Sequence, residues 1–407
     1  MGMYAVGVIV VAQLFGVSLW FSANSAADDL VRVWHVDTFA IGLLTSAVQL
    51  GFIVGTLTLA LTGLADRFRA SRIFVVAALS GAIANAGFAL LAQDLNGAMP
   101  WRFAVGLTLA GIYPMGMKMV VGWQPQRAGS ALGWLVGMLT LGTALPHALR
   151  TLGASLPWQS VVLGSSVLAL LAAALVAWVG DGPHSAVRKS RPGGGLSFVE
   201  AFDAFRLRGF RAAALGYFGH MWELYAFWAL VPVLVRLLDL PTRLAWGNVS
   251  GLSFLIIGAG AAGCIAGGAW SRRIGSARVA AGALTGSALC CAVLPLLSES
   301  PAWLLMAVML FWGLAVVADS PQFSALAMQA CPPDQIGSAL ALQTCIGFSI
   351  TMASIALTTH AVGLTGVGIA WWLLPGPLLG LWGLWPALVR QQPTLAAAKL
   401  QNSGSNS

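Results

Sequence analysis

The chain has 407 residues, of which 58% are apolar or aromatic and only 8% are charged. A soluble protein carries about a quarter of its residues as charges, and a third of that cannot wet its surface, so a soluble enzyme and a disordered chain are both excluded. The net charge of +8 therefore reads as loop charge held on one side of a membrane rather than as a nucleic-acid footprint.

A spanning helix needs about 20 mostly apolar residues. That window predicts twelve segments, at 4–24, 39–62, 72–92, 101–121, 128–149, 158–179, 209–235, 247–267, 278–297, 302–329, 336–360 and 366–389. The runs are continuous rather than alternating, so they are helices and not barrel strands. No small-residue cleavage site follows a basic region at the start, so the first run is expected to stay as a helix. The longest break contains Arg188, Lys189, Arg191 and a turn at Gly193, Gly194 and Gly195. It divides the chain into a six-helix bundle over 1–180, a linker over 181–208, a second bundle over 209–390 and a tail over 391–407.

The two sets of six echo each other. Gly129-Ser130-Ala131-Leu132 opens the fifth segment and Gly337-Ser338-Ala339-Leu340 the eleventh. Phe15-Gly16 in the first matches Phe218-Gly219 in the seventh, and Gly63 with Arg67 after the second matches Gly268 with Arg272 after the eighth. The offsets are 208, 203 and 205, which points to one duplication and a parallel repeat. With the N-terminus inside, fifteen of the 21 basic residues fall on the cytoplasmic side and five on the other. The positive-inside bias then predicts a multi-pass protein of the cell inner (cytoplasmic) membrane with both termini cytoplasmic.

Enzyme signatures are missing: no His-Glu-x-x-His, Walker loop or Cys-x-x-Cys occurs. No catalytic residue, cofactor or metal is expected, and Cys264, Cys290, Cys291, Cys331 and Cys345 read as small core hydrophobes. Energy must come from an ion gradient, the membrane potential or the solute's own gradient.

The stretch Gly63-Leu64-Ala65-Asp66-Arg67-Phe68-Arg69-Ala70-Ser71-Arg72 resembles the signature of the major facilitator superfamily between helices two and three. Arg102-Phe103-Ala104-Val105-Gly106 is similar to that family's Arg-x-x-x-Gly element in helix four. Leu109 to Lys118 resembles the nitrate/nitrite and cyanate-type permease branch, although helices two and eight lack the substrate arginines of nitrate porters. The resemblance implies an all-α membrane protein with twelve helices in two pseudo-symmetric bundles around a central cavity. Gly63, Asp66, Arg67 and Arg72 are then expected to serve gating, with Asp66 against the positive N-terminal end of a helix from the other half.

Ionisable side chains inside a membrane cost about 2.5–3.5 kcal/mol each on insertion scales, so each needs a reason. Glu223 lies in mid-helix seven with His220 three residues earlier on the same face, and Asp319 sits near the middle of helix ten. These three are the expected proton-coupling residues, His220 tuning Glu223 and Asp319 assisting. The plain structural alternative is a buried His–Glu hydrogen bond locking helix seven to a neighbour. A pair between Asp319 and Lys118 needs a kink at Pro114 or Pro321, and Lys118 can instead snorkel to the headgroups. Arg102, Lys118, His147 and Arg150 are expected to bind an anionic solute, although Arg102, His147 and Arg150 equally suit interfacial anchoring. Asn24, Gln49, Trp20, Tyr225 and Gln322 are further candidate lining residues.

The reading is a secondary active transporter working by alternating access, proton-coupled, monomeric, with a small organic anion as favoured solute. Its partners are the solute, protons and the bilayer, and no nucleic acid. The rivals are proton-antiport efflux of hydrophobic drugs or metabolites and a transporter-like membrane sensor.

Overall fold

The computed structural model describes residues 2–125, 128–185, 202–332 and 336–404, without the side chains of Asp66, of 128–130 and of 390–404. Arg127, Arg188, Lys189, Arg191 and the glycines at 193–195 lie outside the described residues.

Twelve membrane-length elements run back and forth among the described residues. In chain order they are α1 (Gly2–Val17, carried on by Ser22–Ser25 and Ala27–Trp34), α2 (Thr38–Thr62), α3 (Ala70–Leu91), α4 (Leu95–Trp123), α5 (Ala128–Leu152) and α6 (Trp158–Val179). The second half holds α7 (Arg208–Leu237), α8 (Val249–Ile274), α9 (Ser276–Val293), α10 (Ala302–Ala318 with Ser320–Ala330), α11 (Ile336–Thr365) and α12 (Ala370–Leu373 with Pro375–Gly404). The helices begin where the local chemistry allows. Asp37, Asp94 and Asn248 accept the backbone N–H of Ala40, Gly97 and Gly251 and so cap α2, α4 and α8. Gly63 ends α2 in the left-handed region at φ 64°, which a side chain would strain.

Two elements differ from the hydropathy window in an informative way. The first predicted segment ends at 24, but the backbone continues helically to Trp34 after an irregular turn at 18–21. Asp28 and Asp29 stop the apolar window without stopping the helix. The tenth is predicted as one run and is split at Asp319, where Pro321 sits in the first turn of the second piece. Proline has no N–H to give and is tolerated there. Pro114, by contrast, lies inside an unbroken α4.

Packing repeats the duplication. Within the first half α1 packs on α5 and α6, α2 on α4, and α3 on α4 and α6. The second half repeats all five pairings: α7 on α11 and α12, α8 on α10, and α9 on α10 and α12. Across the halves, α2 packs on α11 and α5 on α8, which the same symmetry interchanges. Gly106 shows why these approaches need glycine: a Cβ there would stand 2.0 Å from the Val48 carbonyl of α2. Large apolar side chains such as Ile83, Leu90, Trp178 and Trp382 stay exposed on outward faces, where lipid is the solvent.

Both termini belong to one end of the bundle, the termini end. The other is the distal end.

Candidate functional site

The irregular turn of α1 leaves backbone carbonyls short of helical partners inside the first half, and Ser22 Oγ serves only that of Leu19. Arg102, fully buried on α4, fills that need. Its guanidinium donates to the Trp20 carbonyl at 2.6 Å and the Leu19 carbonyl at 3.3 Å, and to Ser22 Oγ and Asn85 Oδ1 at 3.0 and 3.2 Å. It also stands 5.4 Å over the Phe88 ring. Asn85 of α3 extends the network to α6 by donating to the Val162 carbonyl and to Ser166. The forked donor set of arginine is what lets one side chain serve two carbonyls at once.

The second half carries acids instead. Glu223 of α7 is buried, and its Oε1 accepts from Trp312 Nε1 of α10 at 2.6 Å, from Cys291 Sγ of α9 at 3.4 Å and from Ser287 Oγ of α9. Asp319, at the split of α10, receives His220: Nδ1 lies 2.8 Å from Oδ1, a close polar contact in which Oδ1 still lacks an aligned hydrogen bond. Both side chains are almost fully buried. The expected pairing of His220 with Glu223 is therefore replaced. The two residues share a face of α7, but Trp312 and Asp319 stand seven residues apart on α10, about 10 Å along its axis, and each captures its own partner.

Between the halves lies an aromatic layer. Trp20 from the α1 turn lies against Phe52 of α2, Tyr225 of α7 and Phe348 of α11 at ring distances of 5.0, 5.5 and 5.7 Å. Phe52 and Phe348 stand 4.5 Å apart, and Trp228 meets Tyr225 at 5.0 Å. All are buried. On the distal side of this layer Asn24 donates to Thr45 Oγ1 at 3.0 Å, and beyond it a cavity of about 30 Å³ is lined by Asn24, Asp28, Gly42, Arg236 and Thr359. Its mouth is crossed by an ion pair between Asp28 of α1 and Arg236 of α7. Thr151 of α5 and Asn248 beside α8 make a second polar contact between halves at 3.3 Å. The distal end is closed. A larger cavity of 660 Å³ lies away from all of this, on the distal surface of the second half, where Arg243 donates to the Ser298 and Ser300 carbonyls.

The sequence pattern described as Major Facilitator Superfamily matches residues 8–356. The chain belongs to this superfamily. It is a membrane transporter and not an enzyme. Its fold is similar to a crystal structure of a mutant of the nucleoside transporter NupG, with a TM-score of 0.68 at 13% identity, covering 95% of this chain and 98% of that one. It is also similar to the xylose transporter XylE from E. coli in a partially occluded inward open conformation, with a TM-score of 0.73 at 13% identity, covering 94% and 99%. Comparison with curated protein sequences gives no match.

In this superfamily member the four expected anion-binding cations do not converge. Arg102 is spent on the α1 carbonyls. Lys118 donates to the Ala65 carbonyl in the short turn after α2, at the termini end, and Asp319 faces His220 rather than Lys118. Arg150 lies 2.6 Å from Asp29 and donates to the Leu156 carbonyl near the distal end. His147, one turn earlier on α5, is buried with Nε2 unpartnered. Gln322 is buried one turn past Asp319, whose carbonyl accepts its N–H at 2.9 Å. Of the gating set, Gly63 accepts the Arg67 N–H, Arg67 and Arg72 are exposed, and the side chain of Asp66 lies outside the described residues.

Several site residues were not singled out in the sequence. Asn85, Ser287 and Trp312 hold the two polar nodes, and Asp181 caps α3 by accepting Ser71 N at 3.1 Å and Ser71 Oγ at 2.5 Å. Asn85 carried a signal, an amide in an otherwise apolar run. Ser287 and Trp312 carried none, since both residue types are ordinary in membrane helices. Among the described residues no group of three or more His, Cys, Asp or Glu could hold a metal.

Proposed function

We propose that this secondary transporter couples solute movement to protons through the acids of its second half, with the termini end facing the cytoplasm of an inner-membrane protein. The observation that carries the reading is Glu223: a buried carboxylic acid bridging α7 to α9 and α10, with a second acid, Asp319, bound to His220 on the same two elements α7 and α10. A carboxyl group in hydrocarbon is costly to keep charged, so exchanging its proton for donors from Trp312 and Ser287 links protonation to the packing of three helices. Rocking of one half against the other then requires breaking the Asp28–Arg236 pair at the distal end and the α2/α11 and α5/α8 contacts there. The loop after α2 acts as the opposing gate, anchored by Lys118 and the exposed arginines, and one chain supplies the whole path.

The experiment is transport in proteoliposomes of a solute first identified by thermal stabilisation. Glu223→Gln is expected to abolish accumulation driven by a pH gradient while sparing exchange down a solute gradient. Accumulation unchanged in that variant removes Glu223 from the coupling role. Efflux of a hydrophobic compound is the second reading, favoured by the aromatic layer at Trp20, Phe52, Tyr225 and Phe348. Proton flux driven by lipophilic compounds and by no other solute would select it.

A further inference from the structure

The path between the halves holds buried polar groups that no described residue satisfies. Gln49 of α2 is fully buried with both amide atoms unpartnered. The indole N–H of Trp20 and that of Trp228, one from each half, are buried and unpartnered, and so is the Gln343 Oε1 of α11. Leaving such a group dry is costly, and native interiors contain few of them. Such atoms occur elsewhere among the described residues, at Gln13, Ser46, Thr56 and Ser165 for example, but these four belong to or lie within about a turn and a half of one aromatic layer.

Their placement supplies an explanation. Gln49 lies one turn from Phe52 on the distal side of the aromatic layer, and Gln343 lies five residues from Phe348 on the termini side. Trp20 and Trp228 frame Tyr225 between them. On this aromatic wall the unsatisfied atoms are two indole donors, one whole amide and one amide oxygen; the titratable side chains that also keep a buried unpartnered atom, Arg102, His220, Asp319, Asp29 and His147, belong to the two polar nodes and to the distal part of α1 and α5. Arg102 is engaged with the α1 carbonyls, Arg150 with Asp29 and His220 with Asp319, whereas His147 keeps Nε2 unpartnered. A carboxylate or phosphate placed on this path would be desolvated with Arg102 and Arg150 already committed elsewhere, and a lipophilic cation would strand the amides and indoles. A neutral solute with several hydroxyl or amide groups would satisfy them, because glutamine both donates and accepts while tryptophan donates.

Resting on the transporter reading, we propose that the site between the halves takes an uncharged, multiply hydrogen-bonding solute with one apolar face, read by Gln49, Trp20, Trp228 and Gln343. A hydrogen-bonding site of this kind rejects analogues lacking the hydroxyl groups far better than an apolar pocket distinguishes sizes.

The test is thermal unfolding of the full chain in detergent with xylose, myo-inositol and uridine as neutral probes, lactate and benzoate as anions, and tetraphenylphosphonium as a lipophilic cation. A neutral probe is expected to raise Tm, because a ligand that binds only the folded state stabilises it. The anions and the cation are expected to leave Tm unchanged. Gln49→Leu, close to it in size, and Trp228→Phe, which keeps an aromatic ring but removes the indole N–H, are each expected to weaken the apparent Kd at least tenfold; Gln343→Leu is the replacement should either fail to fold. No shift with any neutral probe, a shift with the anions or the cation, or a neutral shift undiminished in these variants overturns the proposal. The measurement uses no gradient, so it is separate from proton coupling: the neutral shift is expected to persist in Glu223→Gln even where pH-driven accumulation is lost.

Discussion

The two halves of the molecule carry a polar node in corresponding places and build it from opposite parts. The offset of 203 that relates Phe15-Gly16 to Phe218-Gly219 also relates Trp20 to Glu223. In the first half the node is an irregular turn whose carbonyls at Leu19 and Trp20 are held by Arg102 from α4, with Asn85 of α3 alongside. In the second half α7 runs unbroken through that position, the acceptor is the Glu223 carboxyl, and the donors come from α9 and α10. The first arrangement pairs a permanent cation with backbone oxygens that never change charge. The second pairs neutral donors with a group that can gain and lose a proton. One duplication has produced a node built on a permanent cation and a node built on a carboxylic acid, and the proton coupling we propose would use the second alone.

Three perturbations bear on that comparison. The largest effect is expected from Arg102→Ala, which strands the Trp20 carbonyl at about 1–3 kcal/mol and leaves the single Ser22 hydroxyl to serve both the Leu19 carbonyl and Asn85 Oδ1. Most folded yield should be lost on detergent size-exclusion, and Arg102→Lys should recover only part of it, since an ammonium group cannot reproduce the fork. A stable, monodisperse Arg102→Ala protein would break the contrast by showing that the anchor holds nothing.

Glu223→Gln should change stability by less than about 1 kcal/mol, because an amide oxygen can still accept from Trp312 and Ser287. Its Tm should stay within a few degrees of the parent while its coupling is lost. A fall as large as that of Arg102→Ala would make the second node structural as well. The smallest effect is expected from Asp28→Asn. The Asp28–Arg236 pair is partly exposed, and such pairs are worth about 0–1 kcal/mol, so opening of the distal end should rise by no more than about fivefold. A cysteine placed at Ala229, half-buried in the wall of that cavity, should react faster with a maleimide in the Asp28→Asn background, against little labelling from the five native cysteines, all buried.

Much of this molecule was legible as a string of letters. The twelve spans follow from apolar runs, because a helix is the structure that satisfies its own backbone in lipid. The Gly-Ser-Ala-Leu and Phe-Gly echoes gave the duplication that the five repeated helix pairings display. Glu223, His220 and Asp319 stood out as charges in hydrocarbon. Trp20, Tyr225, Asn24 and Gln49 stood out among candidates for the path and do meet, or lie beside, one layer between the halves.

Partnership was a different matter. His220 and Glu223 share a helix face, yet two groups on α10, about 10 Å apart, draw them to different sites. The turn at 18–21 contains neither proline nor glycine, so no local signal marks it; it exists because Arg102, some 80 residues away in the chain, reaches its carbonyls. For the same reason a group of cations that reads as an anion funnel in sequence becomes three separate braces in space, at Ala65, at the α1 turn and at Asp29. Hydrophobicity is a sum over neighbours in the chain, so the sequence by itself determined how many helices cross, where they begin, and which residues lipid would penalise. Hydrogen bonding between helices depends on depth and rotation in three dimensions, so only the tertiary structure decided which of those residues are braced and which are left unsatisfied on the path between the halves.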